Sequence, residues 1–63
     1  MAWRTPDGSW RVDVVKRRGT QWFRLARRDP HRVWEPLTIA TVERLLREHG
    51  VDLAELREVD AAA

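Results

Sequence analysis

The stretch that decides the fold is Trp10-Arg11-Val12-Asp13-Val14-Val15-Lys16-Arg17-Arg18-Gly19-Thr20-Gln21-Trp22-Phe23-Arg24-Leu25-Ala26-Arg27. Residues 10–16 alternate at period two: Trp10, Val12 and Val14 take one side, Arg11, Asp13 and Val15 the other. That is the pattern of a half-buried strand. Residues 20–27 repeat it, with Phe23 and Leu25 pointing away from Trp22, Arg24 and Ala26. Lys16-Arg17-Arg18-Gly19 reads as the turn between them, closed by a glycine that accepts positive φ. Pairing Val15 with Thr20 sets Val12 against Phe23 and Trp10 against Leu25, which gathers the large aliphatic groups on one face. A one-residue slip would scatter them, so burial selects this register, and a bulge at Gly19 is the device that would shift it. Trp10 falls in the core, while Arg11, Asp13, Trp22 and Arg24 share the outer face.

Working outward, Pro6-Asp7-Gly8 is a tight turn, and Trp3-Arg4-Thr5 before it reads as a short edge strand of an N-terminal hairpin. Asp29-Pro30-His31 is a further turn. Arg32-Val33-Trp34-Glu35 follows as a strand stopped by Pro36, which cannot donate to a ladder. The pattern leaves open which of Val33 and Trp34 faces inward.

From Thr38 the period changes. Ile39, Val42, Leu45 and Leu46 recur at helical spacing behind Thr38 as N-cap. Gly50 at C′ and Val51 at C″, the latter able to touch Leu46, match a Schellman ending. Asp52 and Glu55 form a capping box, flanked by Val51 and Leu56 as a hydrophobic staple, which predicts a second short helix over about 53–58. The expected fold class is α+β: a three- to four-stranded antiparallel β-meander packed against one C-terminal α-helix, then a short second helix. The expected domain is residues 1–59, with a disordered tail at 60–63.

Sixty-three residues without cysteine exclude a disulfide framework and thiolate metal ligation. A chain this small buries only about 60% of its unfolded surface, so its stability is expected near ~3–5 kcal/mol and a homodimer would add to it. No apolar run approaches the roughly 20 residues of a membrane span, and no secretory h-region opens the chain. The expectation is a cytoplasmic protein that does not bind membranes.

Chemistry finds no foothold in the pattern. His31 lies in a turn and His49 at a helix end, where the macrodipole favours a cation, and neither belongs to a metal-binding motif. Ser9, the only serine, has no base and orienting partner in reach of a triad. Glu43 and Arg47, and Arg44 and Glu48, are i,i+4 pairs of a solvated helix face. Each of the three glycines is accounted for by a turn or cap, leaving no phosphate-cradling loop. The expectation is a non-enzyme with no catalytic residue, cofactor, metal or small-molecule substrate.

Charge is what remains. Residues 1–34 carry nine basic side chains against three aspartates, net +6, and residues 35–63 three against seven acids, net −4. All four tryptophans lie in the basic half. Eleven of the twelve basic residues are arginine, which a GC-rich coding sequence would also produce. Guanidinium groups bind phosphates and guanine edges, and indoles stack on unpaired bases. The candidate nucleic-acid-binding residues are Arg11, Trp22, Arg24 and Trp34 on the outer face, Lys16, Arg17 and Arg18 at one hairpin tip, and Arg27, Arg28 and Arg32 at the other. A DNA-binding, regulatory role follows as the first expectation. About four to six phosphate contacts would give a log–log salt slope near −4 to −5.

The alternative is a protein-interaction or adaptor module, since Trp and Arg also dominate protein hot spots. Leu53, Leu56 and Val59 would then offer a second docking face or dimer seam. The order of elements resembles the three-stranded sheet plus C-terminal helix of integrase arm-binding domains and, more distantly, single-strand-binding transcription coactivators. That resemblance is one of architecture and carries no site residue across.

Overall fold

The β2–β3 hairpin forms the centre of a five-stranded antiparallel sheet in the computed structural model, which describes residues 1–59. The strands are β1 (Ala2–Arg4), β2 (Trp10–Arg17), β3 (Thr20–Arg27), β4 (Arg32–Leu37) and β5 (Arg57–Val59), in spatial order β4-β3-β2-β1-β5. The helix α1 (Ile39–Glu48) and a 3₁₀ turn (Leu53–Glu55) cover one face. The α+β class therefore holds. The tail expected over residues 60–63 lies outside the described residues.

Register differs from the expectation by two residues. Val12 opposes Leu25, Val14 opposes Phe23 and Trp10 opposes Arg27. The cause is the turn: Arg17 pairs with Thr20, so the loop is only Arg18-Gly19, both at positive φ (52° and 78°). Such a two-residue loop matches the right-handed twist of the strands, whereas the expected four-residue loop would not be needed. A shift of two leaves every side chain on its expected face.

Val12, Leu25, Val42 and Leu46 are each 0–1% exposed, and Trp10 closes the same cluster. Trp3, Phe23, Trp34, Leu37, Leu45, Val51, Leu53 and Leu56 pack around them. The helix reaches this position through well-defined ends. Thr38 accepts a hydrogen bond from the Thr41 N–H at 3.3 Å. At the other end the Val51 N–H bonds the Leu46 carbonyl and the Gly50 N–H bonds that of Arg47, the Schellman pair, with Gly50 at φ 77°.

The C-terminal segment departs from the sequence reading. Asp52 does form its capping box with Glu55, but the helix it starts is a single 3₁₀ turn. The chain then extends, and β5 pairs with β1, matching Trp3 with Glu58 and Arg4 with Arg57. Adding a strand satisfies the backbone groups of β1 that would otherwise lie at an open edge. So β1 is interior rather than an edge strand. Leu53 and Leu56 turn toward the core instead of forming a free docking face, and Val59 belongs to β5.

β4 likewise runs through Pro36 rather than stopping before it. It is the other edge strand, and its ladder with β3 shifts register between Phe23 and Leu25, so the missing N–H of Pro36 costs no pairing. Among the described residues, no helix is long and apolar enough to cross a membrane.

The β1–β2 turn is organised by Asp7. Its carboxylate accepts from the Ser9 backbone N–H (3.0 Å), the Thr5 hydroxyl (2.7 Å) and the Ser9 hydroxyl (2.8 Å). These bonds favour the ionised form and lower its pKa from 3.8 to about 2, the Ser9 backbone bond contributing most. A carboxylate with a depressed folded-state pKa stabilises the fold above its unfolded pKa and loses that contribution as pH falls through the folded value. Wild type should therefore exceed Asp7→Ala in unfolding midpoint above about pH 4, with the gap shrinking toward pH 2 as Asp7 protonates, as followed by far-ultraviolet dichroism. Gly50 tests the helix ending: nothing lies within 4 Å of a Cβ placed there, so Gly50→Ala carries only the cost of its left-handed backbone. A loss of about 1–2 kcal/mol in urea unfolding is expected.

Candidate nucleic-acid interface

Strand alternation puts Trp10, Val12, Val14, Phe23, Leu25 and Trp34 toward the helix, and Arg11, Asp13, Val15, Arg17, Trp22, Arg24 and Ala26 on the uncovered face. Pairing extends that outer face sideways to Val33 on β4, to Ala2 and Arg4 on β1, and to Arg57 and Val59 on β5. Among the described residues, no helix packs on it, although Ala2, set between Asp13 and Val59, is only 2% exposed.

The outer face holds an ion-pair network. Arg11 Nε donates to both oxygens of Asp13, each at 3.2 Å, and Arg24 Nη2 donates to Asp13 Oδ2 at 3.3 Å. Arg24 Nε lies 3.8 Å from Glu35, and Arg17 Nη2 donates to Glu35 at 3.2 Å. The Asp13 side chain is only 14% exposed, so two guanidiniums replace much of its lost hydration. Pairs of exposed groups like these stabilise by at most about 1 kcal/mol each. Their larger effect is to hold the arginines in place. Arg4, Arg11, Arg17, Arg24 and Arg57 face Asp13 and Glu35 here, a surplus of three positive charges. Trp22 stands among them, half-buried, opposite Val15 on β2.

Trp34 is not on this face. It opposes Leu25 and stacks on Trp10, with ring centroids 6.1 Å apart and planes 18° from parallel. Arg27 lies over the Trp10 ring at 5.2 Å and Arg32 over the Trp34 ring at 4.6 Å. His49 closes the group 5.0 Å from Trp10, its Nδ1 2.8 Å from the Leu45 carbonyl. The physical reason is area: an indole buried against another indole and a helix end removes more apolar surface from water than Val33 could in its place. Val33 takes the outer position and is 44% exposed.

The predicted candidates therefore divide into groups. Arg11, Trp22 and Arg24, with Arg17, lie together on the outer face. Lys16 lies near the end of β2 on the helix side, and Arg18 is in the β2–β3 turn itself. Arg27, Arg32 and Trp34 lie on the helix side, at the opposite end of the sheet. Arg28 packs by the β1–β2 turn, its Nη1 3.4 Å from where a Gly8 Cβ would stand. The two hairpin tips sit at opposite ends of strands of eight residues, roughly 25 Å apart. They do not form one patch.

Sequence reasoning missed Arg4 and Arg57 as members of the outer face. Alternation with Trp3 could have placed Arg4. Nothing local could have placed Arg57, because its side depends on the pairing of a three-residue strand. Among the described residues, no group of three or more His, Asp or Glu is placed to hold a metal ion. The chain matches no family model, no curated protein and no solved structure, so its site is read from geometry alone.

Arg18 carries a cost that points to the tip. A side chain at φ 52° is disfavoured, and asparagine before glycine is the preferred pair in this turn. Arg18→Asn should raise stability by about 0.5–1 kcal/mol in urea unfolding.

Proposed function

We propose that this chain is a small, non-catalytic nucleic-acid-binding module of the cytoplasm, acting in a regulatory role on DNA through the uncovered face of its sheet. The observation that carries the reading is the cationic surplus of that face around a half-buried Trp22. Guanidiniums held by Asp13 and Glu35 are pre-positioned for phosphate oxygens, so less side-chain freedom is lost on contact. Trp22 supplies a stacking platform for an unpaired base. Arg17 and Arg18 continue the charge to the β2–β3 tip, where Arg18 is kept against the backbone preference of its turn. The binding track thus follows β2 and β3 lengthwise. Arg27, Arg32 and Trp34, stacked on the helix side, contribute to fold stability in this reading rather than to the track.

The experiment is a fluorescence titration with single- and double-stranded oligonucleotides of mixed sequence. Binding should quench tryptophan emission. With about four to six phosphate contacts, affinity should fall several-hundredfold between roughly 50 and 200 mM salt. Trp22→Ala should weaken single-strand binding by about 1–3 kcal/mol, and Trp34→Phe should leave it nearly unchanged. Absence of quenching by either strand form at roughly 50 mM salt removes the proposal. A concentration-dependent elution volume indifferent to DNA supports the protein-interaction alternative.

A further inference from the structure

Arg4 opposes Arg11 across β1 and β2, and also opposes Arg57 across β1 and β5. Directly opposed residues of antiparallel strands share a face, with Cβ atoms roughly 5 Å apart. Three guanidiniums therefore stand in a row across β2, β1 and β5, the outer two about 10 Å apart at the base. Like charges in such positions repel and weaken the sheet. Among the described residues, neither Arg4 nor Arg57 has an ion-pair partner, and Arg11 engages Asp13 only through Nε, which leaves its two terminal amino groups unpaired.

Among the described residues, the nearby acids are directed elsewhere. Asp13 is shared between Arg11 and Arg24. Glu55 accepts from the Asp52 N–H in the capping box. Glu58, next to Arg57 in the chain, opposes Trp3 and so lies on the other face. The three-residue β5 strand thus delivers an arginine, not a glutamate, from an acidic segment to the end of a cationic row.

From this row we infer a binding site for adjacent phosphate groups, centred on Arg4 and completed by Arg11 and Arg57. One phosphate bridges two neighbouring guanidiniums, and a second, covalently linked to it, reaches the third. Arg11, anchored by Asp13, fixes the position of the first. The inference deepens the reading of the outer face by assigning its phosphate contacts to β2, β1 and β5, beside the Trp22 track. Linked phosphates could come from a nucleic-acid backbone or from a free phosphorylated molecule, and the test separates these sources.

The probes are pyrophosphate and a mixed-sequence single-stranded oligonucleotide, each titrated into the intact chain while backbone amide and arginine Nε–H resonances are recorded. Variants are Arg4→Gln and Arg57→Gln, with Arg44→Gln on the exposed helix face as a control of equal charge change. Pyrophosphate should shift the Arg4, Arg11 and Arg57 signals. Arg4→Gln and Arg57→Gln should each weaken its binding about tenfold or more, and Arg44→Gln should not. Relief of repulsion should also raise the thermal midpoint of Arg4→Gln by about 2–4 °C, which confirms that the variant is folded. If pyrophosphate and oligonucleotide both bind the row, the site and the nucleic-acid reading stand together. Pyrophosphate binding without oligonucleotide binding keeps the site and removes the nucleic-acid reading. Oligonucleotide binding unchanged in Arg4→Gln and Arg57→Gln removes the site and keeps that reading. Equal losses in all three variants, or no shift with either probe, overturn the site.

Discussion

Val12 and Leu25, opposed across β2 and β3, meet Val42 and Leu46 of α1 in a contact from which water is almost wholly excluded. In a chain of 63 residues there is room for only one such contact, and the other elements are arranged to protect it. The Schellman ending of α1 turns the chain back so that Val51, Leu53 and Leu56 can close one side. The Trp10–Trp34 stack with His49 closes another. Directed polar contacts at each end of the helix hold it in the orientation this requires, so local capping and core burial reinforce one another.

That one-sided core dictates the distribution of charge. Helix and 3₁₀ turn cover a single face of a five-stranded sheet, so alternate residues of each strand lie on the side away from the helix. Five of those residues are arginine, and the two carboxylates Asp13 and Glu35 are too few to neutralise them. Asp13 and Glu35 tie β2, β3 and β4 together. The β1–β5 end has no comparable acid among the described residues. The face is therefore asymmetric, ion-paired at one end and cationic at the other.

The cation–π contacts serve a different purpose. Half-buried Arg27 and exposed Arg32 lie over the indoles of Trp10 and Trp34 at the rim of the core, where each cation–π contact is worth about 0.5–1 kcal/mol at an exposed site and more where desolvated. Counting arginines as one binding surface merges two populations: those that seal aromatic rings on the helix side and those that face water on the outer side. Alternation along β3 and the pairing of β4 with it separate them.

The hairpin, the helix with both caps and the capping box at Asp52 were legible in the sequence because each is fixed by residues within a few positions of one another. The same locality placed Arg11, Trp22 and Arg24 on one face, and a register error of two residues left that placement intact because strand faces repeat at period two. The fifth strand, the inward turn of Trp34 and the arginine row of Arg4, Arg11 and Arg57 were not legible. Each depends on pairing between segments distant in the chain, and a three-residue strand such as Arg57–Val59 has too little pattern to announce its partner. The sequence by itself determined which side chains alternate. Tertiary structure decided which of them meet, because only packing against the core sets one strand beside another.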